Sequence, residues 1–278
     1  GLEGARGMDA ADIDFDVAGS ASDIIANASD LSGASNIYVT SGGESGPDGL
    51  VMVDATQGVA LGNLENDLKN DDDATGSENV IFGVEDGAEF IASAISSDPS
   101  ALGEAEMVIA EGVGASVGVE QAAAIQGLSN YNAESSSYGI EDSVADILTT
   151  VGQNAVEDSG VSNVNVTDTA TVAEGEQLSD LNLALGDISA SSSAHIDFNV
   201  EGSAVQILGA GIELSGASSV DVTDGSASAS IGVQLDALND SLVALSDENT
   251  NSLSTYERID PAGMSGPAGM SGPAGMSG

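Results

Sequence analysis

The stretch NDDDATGSEN, residues 70–79, is where this sequence comes nearest to holding a ligand. It sets Asp71, Asp73, Thr75 and Gly76 at the first, third, fifth and sixth places of a calcium loop, in which oxygen ligands alternate along the chain and glycine allows the turn. The twelfth place calls for a bidentate glutamate and holds Phe82, so Glu78 is the carboxylate left to stand in. Asp71, Asp73 and Glu78 are therefore the candidate metal ligands, with calcium as the ion. The missing glutamate favours the plainer reading, a solvated acidic turn. SGGESGPDG at 41–49, with Glu44 and Asp48, reads first as a loop punctuated by glycine and proline.

Other chemistry finds little to work with. His195 is the single histidine, and it has no serine or cysteine motif beside it to activate. No glycine-rich phosphate loop follows a strand, so a nucleotide is not expected. Paired carboxylates carry no information where 46 acids are available. Cysteine is absent, which removes disulfides, thiolate catalysis and cysteine metal sites together. The expectation is a protein that is not an enzyme and has no cofactor beyond the candidate calcium.

Charge narrows the partners. The chain has 278 residues, 46 acids against 3 lysines and arginines, and a formal charge of −43. Residues 10–255 keep 42 of those acids and one base, Lys69. A surface of this kind offers nothing to neutralise phosphates, which excludes nucleic acid, and the same argument excludes an anionic membrane surface. Hydrophobic residues still make up 41% of the chain and recur with period, so the segment can bury a core. No run is long and apolar enough to suggest membrane insertion.

The two ends obey a different rule. PAGMSG is written three times over 261–278, placing glycine at Gly263, Gly266, Gly269, Gly272, Gly275 and Gly278. A flexible spacer has no reason to keep a period of three, whereas a collagen triple helix admits only glycine where its chains crowd the axis. Pro261, Pro267 and Pro273 all fall in the X position, where a fixed φ favours the polyproline conformation. The beginning, GLEGARGMD, repeats the pattern with Gly1, Gly4 and Gly7.

On these triplets the sequence resembles bacterial and phage collagen-like proteins. Arg6, in a Y position, resembles the arginine that such proteins use in place of hydroxyproline. The resemblance implies an extracellular, cell-surface or virion-surface protein that associates with itself as a homotrimer. Beginning on the glycine of a triplet suggests a piece of a longer chain.

Between the ends the sequence repeats. ADIDFDVAGSA (11–21) returns as AHIDFNVEGSA (194–204), and DLSGASNIYVTSG (30–42) as ELSGASSVDVTDG (213–225). Weaker copies open at FGVEDGAEFIA (82–92) and YGIEDSVADIL (138–148), and aligning Val17, Val84, Ile140 and Val200 gives spacings of 67, 56 and 60. Each copy reads as an alternating strand, a helix, a second strand and a helix. The serine pairs Ser20 with Asp23, Ser143 with Asp146 and Ser203 with Gln206 are capping signals. Gly87 takes the serine position in the second copy, so that helix should fray. Ile24 and Ile25, Phe90 and Ile91, Ile147 and Leu148, and Ile207 and Leu208 should face the core.

The second strands are IYVT, MVIA, VNVT and VDVT, and Leu61, Leu64 and Leu68 match Leu235, Leu238, Leu242 and Leu245 as one helix face. The expected fold class is α/β: about four degenerate strand–helix–strand–helix repeats packed as a repeat domain, in a trimer with collagen triple-helical ends. The expected organisation is a collagen-like tract at 1–9, the acidic repeat domain at 10–255 in units of about 11–79, 80–135, 136–193 and 194–255, and a linker with the second tract at 256–278. These repeats also resemble, loosely, the degenerate units of large bacterial exoproteins. The expected function is a structural module of an extracellular collagen-like fibre holding three chains in register. The alternative is a receptor- or glycan-binding adhesin or phage tail-fibre domain on a collagen-like stalk; absence of tryptophan weighs against the glycan.

Overall fold

The computed structural model describes residues 15–31, 34–41, 43, 45–69, 79–188, 195–224 and 228–248. The described chain is α/β, and all its paired strands run parallel. It divides into two compact units, 1–167 with 181–196, and 168–180 with 197–278.

In the first unit, β1 (Phe15–Ser20), α1 (Ala21–Ala26), β2 (Ala34–Ser41), β3 (Met52–Val53) and α2 (Ala55–Lys69) come first. They are followed by β4 (Asn79–Ile81), β5 (Gly83–Gly87), α3 (Ala88–Ser97), α4 (Pro99–Gly103), β6 (Met107–Val117) and α5 (Val119–Gln126). Then come β7 (Ser137–Asp142), α6 (Val144–Ile147), α7 (Thr150–Val156) and the first part of β8 (Val161–Thr171). Strands lie in the orders β1-β2-β4 and β3-β5-β6-β7-β8. Parallel neighbours require a crossover, and a helix supplies most of them.

One residue row fixes the register. Ile37 stands opposite Val17, Val84 opposite Val108, and Ile140 opposite Val164. All but Val17 are 0% exposed. Burial of each contributes roughly 1.5–3 kcal/mol. A polar pair on the opposite face contributes roughly 0.2–1 kcal/mol, so the apolar row decides which face turns inward.

The second unit contains the first part of α8 (Val172–Ile188), β9 (Ile196–Gly202) from Asp197 onward, α9 (Ala204–Ala210), β10 (Ser219–Val222) and α10 (Ala229–Glu248). Val200 stands opposite Val220 in the β9–β10 pair, and Phe198 and Val200 are buried.

The serine caps form as expected. Ser20, Ser143 and Ser203 accept from the backbone N–H of Asp23, Asp146 and Gln206, and Gln206 closes a full capping box. Gly87 makes no side-chain cap, yet α3 runs for ten residues. Its buried Ala88, Ile91 and Ala92 hold the first turns where the cap does not.

Of each adjacent apolar pair in these helices, one member is fully buried: Ile24, Ile91, Ile147 and Ile207. Successive helical side chains point in different directions, so both members cannot face inward. Phe90 is 58% exposed, a correction to the expectation that it joins the core.

Candidate functional site

The candidate calcium ligands Asp71, Asp73 and Glu78 lie outside the described residues, as do Glu44 and the side chain of Asp48. The triplet glycines Gly1, Gly4, Gly7, Gly263, Gly266, Gly269, Gly272, Gly275 and Gly278 also lie outside them. Among the described residues, no group of three or more histidine, aspartate or glutamate side chains is placed to hold a metal ion. His195 is exposed just before β9, and its carbonyl accepts the N–H of Val164 at 3.0 Å.

Apart from Asp98, whose carboxyl the Ser100 hydroxyl holds below its ordinary range, the described side chains with perturbed chemistry form two networks, both in the first unit. Lys69, at the end of α2, lies 2.8 Å from Glu65 Oε1 and 2.6 Å from Glu104 Oε2. Burial pushes the Glu65 carboxyl above its ordinary range, opposed by the hydrogen bond from Lys69. The hydrogen bonds to Glu104 and Glu65 raise Lys69 in turn. The one base of residues 10–255 is thus committed to the seam between α2 and the turn after α4. The spacing Glu65–Lys69 marks an i,i+4 pair, but nothing local in the sequence marks Glu65 as buried.

The second network is phenolic. Tyr131 donates to Asp158 Oδ1 at 2.9 Å, and Gln126 Nε2 donates both to Tyr138 Oη and to the carbonyl of Ala155, each at 2.9 Å. Burial raises both phenols, Tyr138 to about 12 with the Gln126 hydrogen bond opposing, and Tyr131 with reinforcement from Tyr138 and Asp158. Such groups stay neutral and tie the loop before β7 to α7 and the turn after it.

Aspartates at strand ends do work that the sequence reading missed. Asp86 Oδ2 accepts from Ala55 N–H at the start of α2 at 3.0 Å, while its Oδ1 accepts from Gly87 at 2.8 Å. Asp142 repeats the arrangement at α5, taking Val119 N–H and Ser143 N–H at 2.9 Å each. In the second unit Asp224 accepts from Ala204 at the start of α9 at 3.1 Å. Each carboxylate satisfies an orphan donor at a helix N-terminus, where the helix dipole also favours negative charge.

In each unit, polar pairs lie across neighbouring strands on the side opposite the apolar row. Asn36 Nδ2 donates to Asp16 Oδ1 at 2.8 Å across β1 and β2, and Asn165 Nδ2 to Glu141 Oε2 at 3.2 Å across β7 and β8. In the second unit Ser219 Oγ donates to Asn199 at 2.7 Å, and Ser218 donates to Asp197. These acids and amides are engaged in holding strands together. No protein-family model matches the chain, and comparison with curated proteins finds no similar sequence.

Proposed function

We propose that the chain is a structural module of an extracellular or surface-exposed collagen-like fibre, in which four strand–helix–strand–helix copies form an α/β segment between triple-helical tracts of a homotrimer. The observation that carries the reading is glycine at every third residue from Gly263 to Gly278, with proline in the X position of alternate triplets. Contacts within the α/β segment support it: Asp86, Asp142 and Asp224 cap helices, Lys69 joins two carboxylates, and Tyr131 and Tyr138 brace a turn. Their arrangement serves architecture. The module is not an enzyme on this reading, and calcium at Asp71, Asp73 and Glu78 would be a structural ion.

The adhesin reading has one observation of its own. Parallel sheets are usually covered on both faces, yet here Tyr38 on the outward side of β2 remains 38% exposed, and Glu141 on β7 is exposed. Sedimentation of the full chain tests the leading proposal. A trimer that dissociates when the triple helix melts is expected, and a concentration-independent monomer overturns it. Loss of a surface fibre on deletion of the gene, with attachment unchanged, separates the structural module from the adhesin.

A further inference from the structure

The long helices carry a glycine at one fixed place, and in α10 that glycine faces nothing. The pattern is Gly58, Leu61, Leu64 and Leu68 in α2, Gly175, Leu178, Leu181 and Leu185 in α8, and Gly232, Leu235, Leu238 and Leu242 in α10. A Cβ at Gly58 would lie 2.5 Å from Val84 Cγ2 and 3.3 Å from Leu102 Cδ2. At Gly175 it would lie 2.5 Å from Val200 Cγ2 and 3.3 Å from Leu214 Cδ2. In both cases glycine lets the helix close onto the first strand of the next repeat. At Gly232, an added Cβ would meet nothing within 4 Å, and the position is exposed. Glycine inside an exposed helix is destabilising relative to alanine. Among the described residues, nothing within one copy of the chain accounts for it.

The valine that such a slot receives is also present without a partner of this kind. Val17 is the counterpart of Val84 and Val200, which are 0% exposed, yet Val17 is only half-buried. Phe15 is the counterpart of Phe82, Tyr138 and Phe198, which are at most 1% exposed, yet Phe15 is 40% exposed. Among the described residues, no strand pairs with the outer edge of β1 or of β10. Neither edge strand contains the lysine or proline that commonly blunts such edges.

We infer that β10 and α10 of one chain receive β1 of a second copy, with Val17 of that copy seated on Gly232. This rests on the four-copy reading of the α/β segment and on no part of the triple helix. Existing junctions between repeats give the register. Ile37 of β2 stands opposite Val80, four residues before Val84. The hydrogen bond from Val164 N–H to the His195 carbonyl sets Val164 opposite Ile196, four residues before Val200. The β6–β7 junction is parallel too but passes through a bulge. The shared offset places Val222 opposite Phe15 and Thr223 opposite Asp16 of the second copy, burying the exposed phenylalanine under α10. A contact between two different surfaces is heterologous, so it closes a ring or continues as a filament.

The chain contains no cysteine, which makes crosslinking unambiguous. Full-length protein with Asp16→Cys and Thr223→Cys together, oxidised at physiological salt, is expected to give disulfide-linked species beyond the dimer that neither single variant forms. Adding Gly232→Leu is expected to reduce them at least tenfold with far-UV circular dichroism unchanged, because the position has room for a side chain in the single copy. Crosslinking no greater than in the single variants overturns the joint, as does crosslinking indifferent to Gly232→Leu. Gly269→Asp, which disrupts a triple helix, separates this failure from that of the fibre proposal. A sedimenting trimer that depends on Gly269, with crosslinking no greater than in the single variants, keeps the fibre and overturns the joint, whereas crosslinks that depend on Gly232 and survive Gly269→Asp support the joint without the fibre.

Discussion

Tyr131 and Tyr138 show how single residues couple this fold to pH. Tyr138 is buried and Tyr131 half-buried, each is held by a neighbour, Gln126 or Asp158, and desolvation raises both above the ordinary value of 10, Tyr138 to about 12. In the unfolded chain they release their protons near the ordinary value, so above it the unfolded state binds fewer protons than the folded one. Stability from this pair is complete below pH 10 and is lost as pH rises through the folded-state values. Base titration followed by ultraviolet absorbance and circular dichroism together should show these two phenolates appearing with loss of structure. Their appearance in a folded chain well below pH 12 would show that the burial is not maintained in solution. The opposite lesson comes from Glu65, whose carboxyl is pushed up by burial despite Lys69 beside it. Charged residues on a helix usually read as its solvated face, and here the helix turns one of them inward.

At the scale of elements, the aspartate caps are the device that couples a strand end to a helix other than the one it leads into. Asp142 satisfies both Val119 at the start of α5 and Ser143 at its own strand end. Asp142→Ala should therefore lower stability by about 1–2 kcal/mol, the range for a lost helix cap with a donor left behind. Urea unfolding would measure it, and an unchanged midpoint would show that water replaces the carboxylate at no cost. Sequence reading located the helices and serine caps because those signals are local: Ser143 and Asp146 are three residues apart. It missed Asp142 because Val119 is 23 residues away, and missed Asp86 because Ala55 is 31 away. It also found the leucine face of α2 without the meaning of Gly58. A glycine in a helix reads as a weakness until the approach of Val84 gives it a partner.

For the whole molecule, the governing quantity is charge. Each chain carries −43, and its 3 lysines and arginines include Lys69, already committed to Glu65 and Glu104. Any association of copies, through triple helix or through sheet edges, brings like charges together, which disfavours the compact assembled state. Dissolved salt screens this over a Debye length of about 8 Å at physiological ionic strength. Calcium would act differently if Asp71, Asp73 and Glu78 bind it through oxygen, since a ligand taken up by the folded state stabilises it by mass action. Thermal melts in chelator, in millimolar calcium and in sodium chloride of equal ionic strength tell the two apart. The expected result is a midpoint that rises in both salts; an added increment in calcium that disappears in Asp71→Asn/Asp73→Asn would establish the site. Equal midpoints in calcium and matched sodium chloride would assign the whole effect to screening and sink the calcium site. A midpoint indifferent to both would show that repulsion between these acids is already relieved by solvent alone.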